Sequence, residues 1–226
     1  MKNIKKLKNI LNSIEFAVVL GLIVVPIISF IFILMSPESP LYTSISRIAW
    51  VHDRWMLTCI WAIIVMLAIV WITYRLVMTS PLGERAKRVV FSSQFVNICL
   101  VFVGCLIFPA KPSADAVNFV NIMHDYLTAV AWLLYGIWLI IYSLLLGRKN
   151  KFLGFMGCSL MTFVVWSSVF FLRRVVAPDS YVGASAVSEV YVINSLFIYL
   201  VVMLVLQNPV INRPEGQQII NNSKTD

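Results

Sequence analysis

The sequence has little charge, only two histidines and no clustered cysteines. Asp, Glu, Lys and Arg make up 12% of its 226 residues, whereas 60% are hydrophobic. A soluble domain of this size needs more polar residues to cover its surface, so the composition indicates a chain that is solvated mainly by lipid. The net charge of +8 is divided among short basic clusters between apolar runs. This distribution is typical of a membrane topology signal and argues against a nucleic-acid partner.

The cysteines have no CxxC spacing and lie inside apolar runs, at Cys59, Cys99, Cys105 and Cys158. We predict that they behave as small apolar side chains of a buried core. A disulfide between Cys59 and Cys105 is the alternative.

Six apolar runs are each long enough to cross about 30 Å of hydrocarbon as a helix. They cover residues 16–35, 55–77, 89–108, 125–146, 152–172 and 189–206. The first run is longer than the apolar core of a signal peptide, so we expect it to be retained, with a kink at Pro26. The sequence therefore predicts an all-α fold, a six-transmembrane-helix bundle with short loops.

The distribution of basic residues predicts how the bundle is oriented. With six spans, both termini lie on the same side, which carries thirteen of the 18 Lys and Arg residues, whereas the other side carries five. The positive-inside rule then places both termini in the cytoplasm. We expect the bundle to lie in the cell (plasma) membrane. We predict a basic flank at 1–13, a transmembrane domain at 14–207 and a disordered cytoplasmic tail at 208–226.

Aromatic and small residues have predicted structural roles. Aromatic residues near the ends of the runs, among them Trp55 and Tyr142, are predicted to form interfacial belts. Gly154, Gly157 and Ser159 in the fifth run are predicted to allow close helix packing.

Both histidines fall on the predicted outer side. His52 and His124 each stand directly before an aspartate, Asp53 or Asp125, and each opens a run that leads inward. An acid at a helix N-terminus stabilises the helix by about 0.3–1 kcal/mol, so capping alone accounts for both aspartates and for Glu189. Capping does not account for the histidines. The sequence context that both share therefore predicts a functional site, where a ligand binds or a reaction takes place.

We predict an outward-facing polar pocket as the functional surface. Its candidate residues are His52, Asp53, Arg54, His124, Asp125, Arg173, Arg174 and Glu189. Arg173 and Arg174 suit an anionic headgroup. The predicted function is binding of an envelope lipid headgroup or of a protein partner, which includes a second copy of the chain.

The two histidine segments also resemble each other loosely. Downstream of each histidine, Thr58 and Trp61 align with Thr128 and Trp132 when one gap is allowed. Such a pattern is typical of a duplicated helical hairpin.

Three other chemistries use the same residues. In a metal-assisted hydrolase or transacylase, His52 and His124 would bind a divalent metal, and Asp53, Asp125 or Glu189 would supply oxygen ligands. Without a metal, a histidine oriented by a carboxylate would act as acid and base on a lipid. In a haem b protein, His52 and His124 would be the axial ligands of one haem.

Two motifs carry a resemblance to a known family. Phe108, Pro109, Ala110 and Pro112 form a turn after the third run, and His124 opens the fourth run ahead of Thr128, Ala129, Ala131 and Trp132. With six short-looped spans, the second to sixth runs resemble DUF998-type integral membrane proteins and the broader Frag1/DRAM/Sfk1-like six-span group. The resemblance implies a six-helix bundle and a link to lipid handling, and it carries over no catalytic residues.

Overall fold

The computed structural model describes residues 13–36, 39, 45–50, 54–107, 119–176 and 186–208, and helices are the only regular elements within them. The helices are α1 (Ile14–Leu34), α2 (Ile45–Trp50), α3 (Trp55–Met78), α4 (Glu84–Ile107), α5 (Phe119–Gly147), α6 (Lys151–Val176) and α7 (Ala186–Leu206). All except α2 are long and apolar enough to cross a membrane. The prediction of an all-α fold with six candidate spans is therefore confirmed.

Two helices begin five or more residues before their apolar runs. α4 begins at Glu84 and α5 at Phe119, whereas the runs begin at residues 89 and 125. Asp125 therefore lies in the second turn of α5, and the prediction that it occupies the helix N-terminus is wrong. Hydrocarbon thickness sets the length of an apolar run, but backbone hydrogen bonds continue a helix through polar residues beyond it.

α1 changes geometry along its length. It is α-helical over Ile14–Val19, π-helical over Leu20–Val24 and α-helical again over Val25–Leu34. The π turn lies directly ahead of Pro26, where the sequence predicts a kink, and both features are recognised causes of helix bending. The buried residues of this region recur at every fourth position, at Ala17, Gly21, Val25 and Ser29.

α5 and α6 pack against each other at very short range. A Cβ atom added to Gly154 would collide with the backbone of Gly147, and one added to Gly157 would lie 2.5 Å from Ser143 Oγ. These contacts confirm the predicted packing role of Gly154 and Gly157. Ser159 is exposed, so the same prediction is wrong for that residue.

Buried side-chain hydrogen bonds join the helices across the core. They link Thr73 to Tyr135 at 3.0 Å, Ser143 to Tyr199 at 2.8 Å and Ser167 to Ser195 at 2.7 Å. The bonds connect α3 with α5, α5 with α7, and α6 with α7. In membrane proteins, such bonds contribute about 0.6 kcal/mol on average and up to about 2 kcal/mol.

Tyr142 is one of the best-bonded side chains of the core. It has 0% exposure, and its hydroxyl lies 3.0 Å from the carbonyl oxygen of Leu76 and 2.9 Å from Nε2 of Gln207. Because the hydroxyl has one proton, it donates to Leu76 while accepting from Gln207. The prediction that Tyr142 belongs to an interfacial belt is wrong, since it faces α3 and α7.

The described cysteines are free thiols. Cys59, Cys99 and Cys158 are half-buried and form no disulfide. The alternative of a bridge between Cys59 and Cys105 is therefore wrong, although the side chain of Cys105 itself lies outside the described part of the chain.

Candidate functional site

An interhelical cavity of about 200 Å³ lies between α3, α4, α5 and α7, and α2 contributes to one end of it. Apolar side chains form most of its surface, among them Val65, Ile69, Ile98, Phe102, Val192 and Leu196. Along α3 the lining runs from Trp55 to Ile69, a distance of about 21 Å at 1.5 Å per residue. The cavity is therefore a narrow slot that extends over roughly two thirds of the ~30 Å thickness of a hydrocarbon core.

The polar side chains of the lining are concentrated at one end, which we call the Glu189 end. Glu189, His124, Thr58 and Thr128 lie there, all within the first ten residues of α3, α5 or α7. Further along the cavity the polar contribution comes from Tyr135, whose hydroxyl is bonded to Thr73. The slot thus has a polar end and an apolar body.

Glu189 lies in the first turn of α7, as predicted for an acid near a helix N-terminus. Its Oε2 atom accepts a hydrogen bond from the backbone N–H of Ile45, 2.9 Å away. Ile45 is the first residue of α2, where backbone N–H groups have no partner within the helix. The carboxylate therefore joins α7 to α2 and stands at the end of the cavity.

His124 is 8% exposed and lines the same end. Its Nδ1 atom lies 3.0 Å from the carbonyl oxygen of Gly104 on α4. A carbonyl oxygen only accepts, so Nδ1 carries a proton and donates it to Gly104. A backbone carbonyl thus orients the imidazole, an arrangement also common for histidines that bind metals.

Thr58 on α3 and Thr128 on α5 make the same type of hydrogen bond, each to the carbonyl four residues earlier. The hydroxyl of Thr58 donates to the carbonyl of Arg54 at 3.0 Å, and that of Thr128 donates to the carbonyl of His124 at 2.6 Å. Each hydroxyl has one proton, and each uses it on a carbonyl of the chain four residues earlier.

Two tryptophans form aromatic walls of the cavity. The indole Nε1–H of Trp61 donates to Ser29 on α1, and that of Trp132 donates to Ser168 on α6. Trp61 is stacked on Phe32, with ring centroids 4.9 Å apart. Both indoles therefore have their N–H group bonded to another helix while the side chain lines the cavity.

Sequence reasoning did not assign these aromatic residues to a site. Trp55 was predicted to belong to an interfacial belt, and Tyr135 had no predicted role, yet both line the cavity. The loose similarity between the two histidine segments could have identified the tryptophans of the cavity wall, because its aligned Thr and Trp residues all line the cavity. These residues are Thr58, Trp61, Thr128 and Trp132.

The structure brings two of the predicted site residues, His124 and Glu189, to one cavity. Arg54 is half-buried just before α3, and its backbone carbonyl accepts the bond from Thr58. The remaining candidates are outside what the structure describes: His52 and Asp53 as whole residues, and Asp125, Arg173 and Arg174 as side chains.

The metal and haem hypotheses both depend on His52 and therefore stay predictions. Within the described residues, no group of three or more His, Cys, Asp or Glu side chains is close enough to hold a metal ion. The acid–base hypothesis requires a carboxylate beside a histidine, and the described partner of His124 Nδ1 is instead a backbone carbonyl. That hypothesis stays a prediction, because His52, Asp53 and the side chain of Asp125 lie outside the described part of the chain.

Comparison of the chain with protein-family models, with curated protein sequences and with solved structures gave no match. The resemblance to DUF998-type membrane proteins stays a prediction that rests on the two motifs quoted for it. A function for this protein has to be inferred from the shape and chemistry of the cavity.

Proposed function

We propose that this protein is a multi-pass protein of the cell membrane that binds an amphipathic, lipid-like molecule. The apolar part of the ligand occupies the body of the cavity, and its polar group lies at the Glu189 end. The observation that carries the proposal is the segregation of the lining, with its few polar side chains gathered at one end of an otherwise apolar slot. Binding pockets for small molecules have this composition, since apolar walls supply affinity and a few polar groups supply orientation.

The charges at the opposite end of the bundle support an orientation for this site. Arg85, Arg88, Arg148 and Lys149 are all exposed there, near the turns between α3 and α4 and between α5 and α6. The positive-inside rule places that end, and both termini, in the cytoplasm. The Glu189 end then opens toward the outer leaflet, from which a lipid can enter.

Filling the cavity tests the proposal. Ala62 lines the slot and is half-buried, whereas its neighbour Ile63 is 44% exposed and lies outside the lining. Ala62→Phe places a ring in the cavity, and Ile63→Phe adds one on the outer surface of the same helix. The two variants thus add an aromatic ring at adjacent positions, and only one of them changes the site.

Mass spectrometry of purified protein measures the outcome. Lipid-like molecules that remain bound to the wild type and to Ile63→Phe are expected to fall by about tenfold or more in Ala62→Phe, because overpacking leaves no room for the ligand. Adding the recovered molecule back at 100 times its Kd should stabilise the wild type by about 2.7 kcal/mol. Equal recovery from both variants would show that the bound molecules lie on the outer surface, and the proposal would be abandoned.

A further inference from the structure

We infer that a groove between α4 and α5, at the basic end of the bundle, binds an anionic phospholipid. Residues of both helices line this groove, which we call the Arg85 groove: Arg85, Ala86, Val89 and Val90 on α4, and Trp138 and Leu145 on α5. None of these six residues lines the interhelical cavity. The groove is therefore a second binding surface, with a ligand class that the proposed function does not assign.

The groove follows the contact between two helices that run in opposite directions. Gln94 on α4 donates to the backbone carbonyl of Tyr135 on α5 at 3.5 Å. Counting from this contact, nine residues back along α4 and ten residues forward along α5, Arg85 lies beside Leu145. Seven residues separate Leu145 from Trp138, so the groove runs for about 10 Å from the basic end toward the middle of the membrane.

The deeper part of the groove is apolar and open. Val90 is 1% exposed and lies at its floor, whereas Val89 is 50% exposed at its edge. Trp138 and Leu145 are half-buried on the α5 side. An acyl chain can pack along such a surface, but hydrocarbon surrounds every lipid chain in a membrane, so the apolar part gives little selectivity. The polar group at the end of the groove therefore decides which lipid is bound.

Arg85 supplies the charge at that end. Its side chain is exposed, and among the described residues no carboxylate pairs with it. Glu84 also lines the groove, but its carboxylate is paired with Lys87 at 3.0 Å. The guanidinium of Arg85 is therefore available to a ligand, and its fork of N–H donors can form two parallel hydrogen bonds with one phosphate.

Further cations surround the end of the groove. The two turns at this end of the bundle and the adjoining helix ends, residues 79–88 and 147–151, contain six Lys and Arg residues and one acid, Glu84. A lipid with a net negative charge is attracted by the whole group, whereas the phosphate of a zwitterionic lipid is already compensated by its own ammonium group. Charge complementarity therefore favours an anionic phospholipid over a zwitterionic one.

The sequence predicts the same ligand class at the other end of the bundle. Arg173 and Arg174 are the basis of that prediction, and their side chains lie outside the described part of the chain. The Arg85 groove is a described surface that suits an anionic headgroup at the basic end instead. With the orientation proposed above, this end lies in the cytoplasmic leaflet, whose surface carries the negative charge of anionic lipids.

Two phospholipids with identical acyl chains test the inference: dioleoyl phosphatidylglycerol, which is anionic, and dioleoyl phosphatidylcholine, which is zwitterionic. The full chain is equilibrated in mixed micelles with equal amounts of both, and native mass spectrometry counts the molecules of each that stay bound. Because the acyl chains are the same, a difference reports the headgroup. We expect the wild type to retain at least about fivefold more phosphatidylglycerol, the ratio that one cation near the headgroup provides. Equal retention of the two lipids would overturn the inference.

Arg85→Gln and Arg88→Gln form a matched pair of variants on α4. Both residues are exposed and both variants lower the net charge by one, but only Arg85 lines the groove. The preference for phosphatidylglycerol should fall to about twofold or less in Arg85→Gln and stay above about fourfold in Arg88→Gln. Equal losses in the two variants would mean that diffuse surface charge holds the lipid, and the groove would be rejected as its site.

Filling the groove tests its shape without changing its charge. Ala86 is half-buried and lines the groove, whereas Val96 is 54% exposed on the same helix and lies outside the lining. Ala86→Phe should reduce bound phosphatidylglycerol by about fivefold or more, and Val96→Phe should leave it unchanged. Undiminished binding in Ala86→Phe would contradict the inference. Should Ala86→Phe not fold, the arginine pair decides, because both of its positions are exposed.

Ala62→Phe separates this inference from the proposed function. That variant fills the interhelical cavity and leaves the Arg85 groove unchanged, so the preference for phosphatidylglycerol should persist in it. Loss of the preference in Ala62→Phe would place phosphatidylglycerol in the cavity and overturn the inference while supporting the proposed function. If the cavity test fails but the arginine pair differs as expected, the proposed function falls and the groove stands.

Discussion

The indole Nε1–H of Trp61 donates to Oγ of Ser29 across 3.0 Å and joins α3 to α1 inside the core. Ser29 has 0% exposure and Trp61 has 7%, so water cannot replace either partner. The bond holds the indole N–H away from the cavity that the same side chain lines. One serine on α1 therefore affects both the stability of the bundle and the chemistry of the cavity wall.

Replacing Ser29 by Ala should destabilise the protein, because the indole N–H would remain buried without its acceptor. We expect the free energy of unfolding to fall by about 1 kcal/mol. This value lies between the average contribution of an interhelical hydrogen bond in membrane proteins and the full cost of a buried donor without an acceptor. Unfolding in mixed micelles by a denaturing detergent measures this change. Ser159→Ala is the control, since Ser159 is exposed. Identical unfolding curves for both variants would mean that the bond contributes nothing.

Tyr142→Phe removes a hydroxyl that bridges three helices. Leu76 loses the donor to its carbonyl, and the Gln207 amide loses its partner. We expect a loss of about 1–2 kcal/mol in unfolding free energy, because all of these groups are buried. Tyr126→Phe serves as the comparison on the same helix, as Tyr126 is 65% exposed. A similar loss in Tyr126→Phe would argue against the bridging role.

Gly154→Ala should force α5 and α6 apart. Its Cβ would collide with the backbone of Gly147, which cannot move aside as a side chain does. We expect unfolding free energy to fall by about 1–3 kcal/mol, the usual range for overpacking.

Gly136→Ala provides the matched control for that substitution. No heavy atom of another helix lies within 4 Å of a Cβ added to Gly136, so this change should be neutral or stabilise α5 by up to about 1 kcal/mol through helix propensity. Thermal unfolding of both variants in one detergent gives the comparison. If Gly154→Ala were as stable as Gly136→Ala, the short distance between the two helices would not hold in the membrane.

The proposed orientation can be tested with single cysteines. In a variant whose four native cysteines are replaced by Ala, Asn150→Cys lies in the turn between α5 and α6, and Phe119→Cys lies at the opposite end of the bundle. A thiol reagent that cannot cross membranes should label Phe119→Cys in intact cells and label Asn150→Cys after the cells are opened. The reverse pattern would place the Glu189 end in the cytoplasm and turn the cavity toward the inner leaflet.

The sequence was sufficient to predict the six candidate spans, because crossing hydrocarbon requires long apolar runs whatever the tertiary structure. Helix boundaries were less accurate, since α4 and α5 continue through polar residues outside the runs. The side of a helix that faces the core could not be predicted from the position of a residue within its apolar run. Tyr142 stands near the end of a run, as belt residues do, yet it faces the core because α3 and α7 supply its hydrogen-bond partners.

The candidate site was predicted in part. His124 and Glu189 were singled out as polar residues near one end of the bundle, and both line the cavity. The slot itself could not be predicted, because a void depends on the side chains of four helices at once and no single position encodes it. The tryptophan walls were overlooked for a related reason, as an aromatic residue near the end of a span has the same sequence signature in a belt and in a cavity.

The π turn of α1 determines which residues meet the rest of the bundle. In a regular α-helix, positions four residues apart drift around the axis by about 40° per step, so Ala17 and Ser29 would face directions about 120° apart. The wider π turn takes up part of this drift, and both residues are fully buried. Deleting Ile23, which is 49% exposed, should restore α geometry and keep Ala17 and Ser29 on one face, because eleven steps of about 100° leave them only about 20° apart. The π turn therefore acts as a one-residue insertion that keeps two contacts on the buried side of α1, Gly21 against α7 and Ser29 against Trp61.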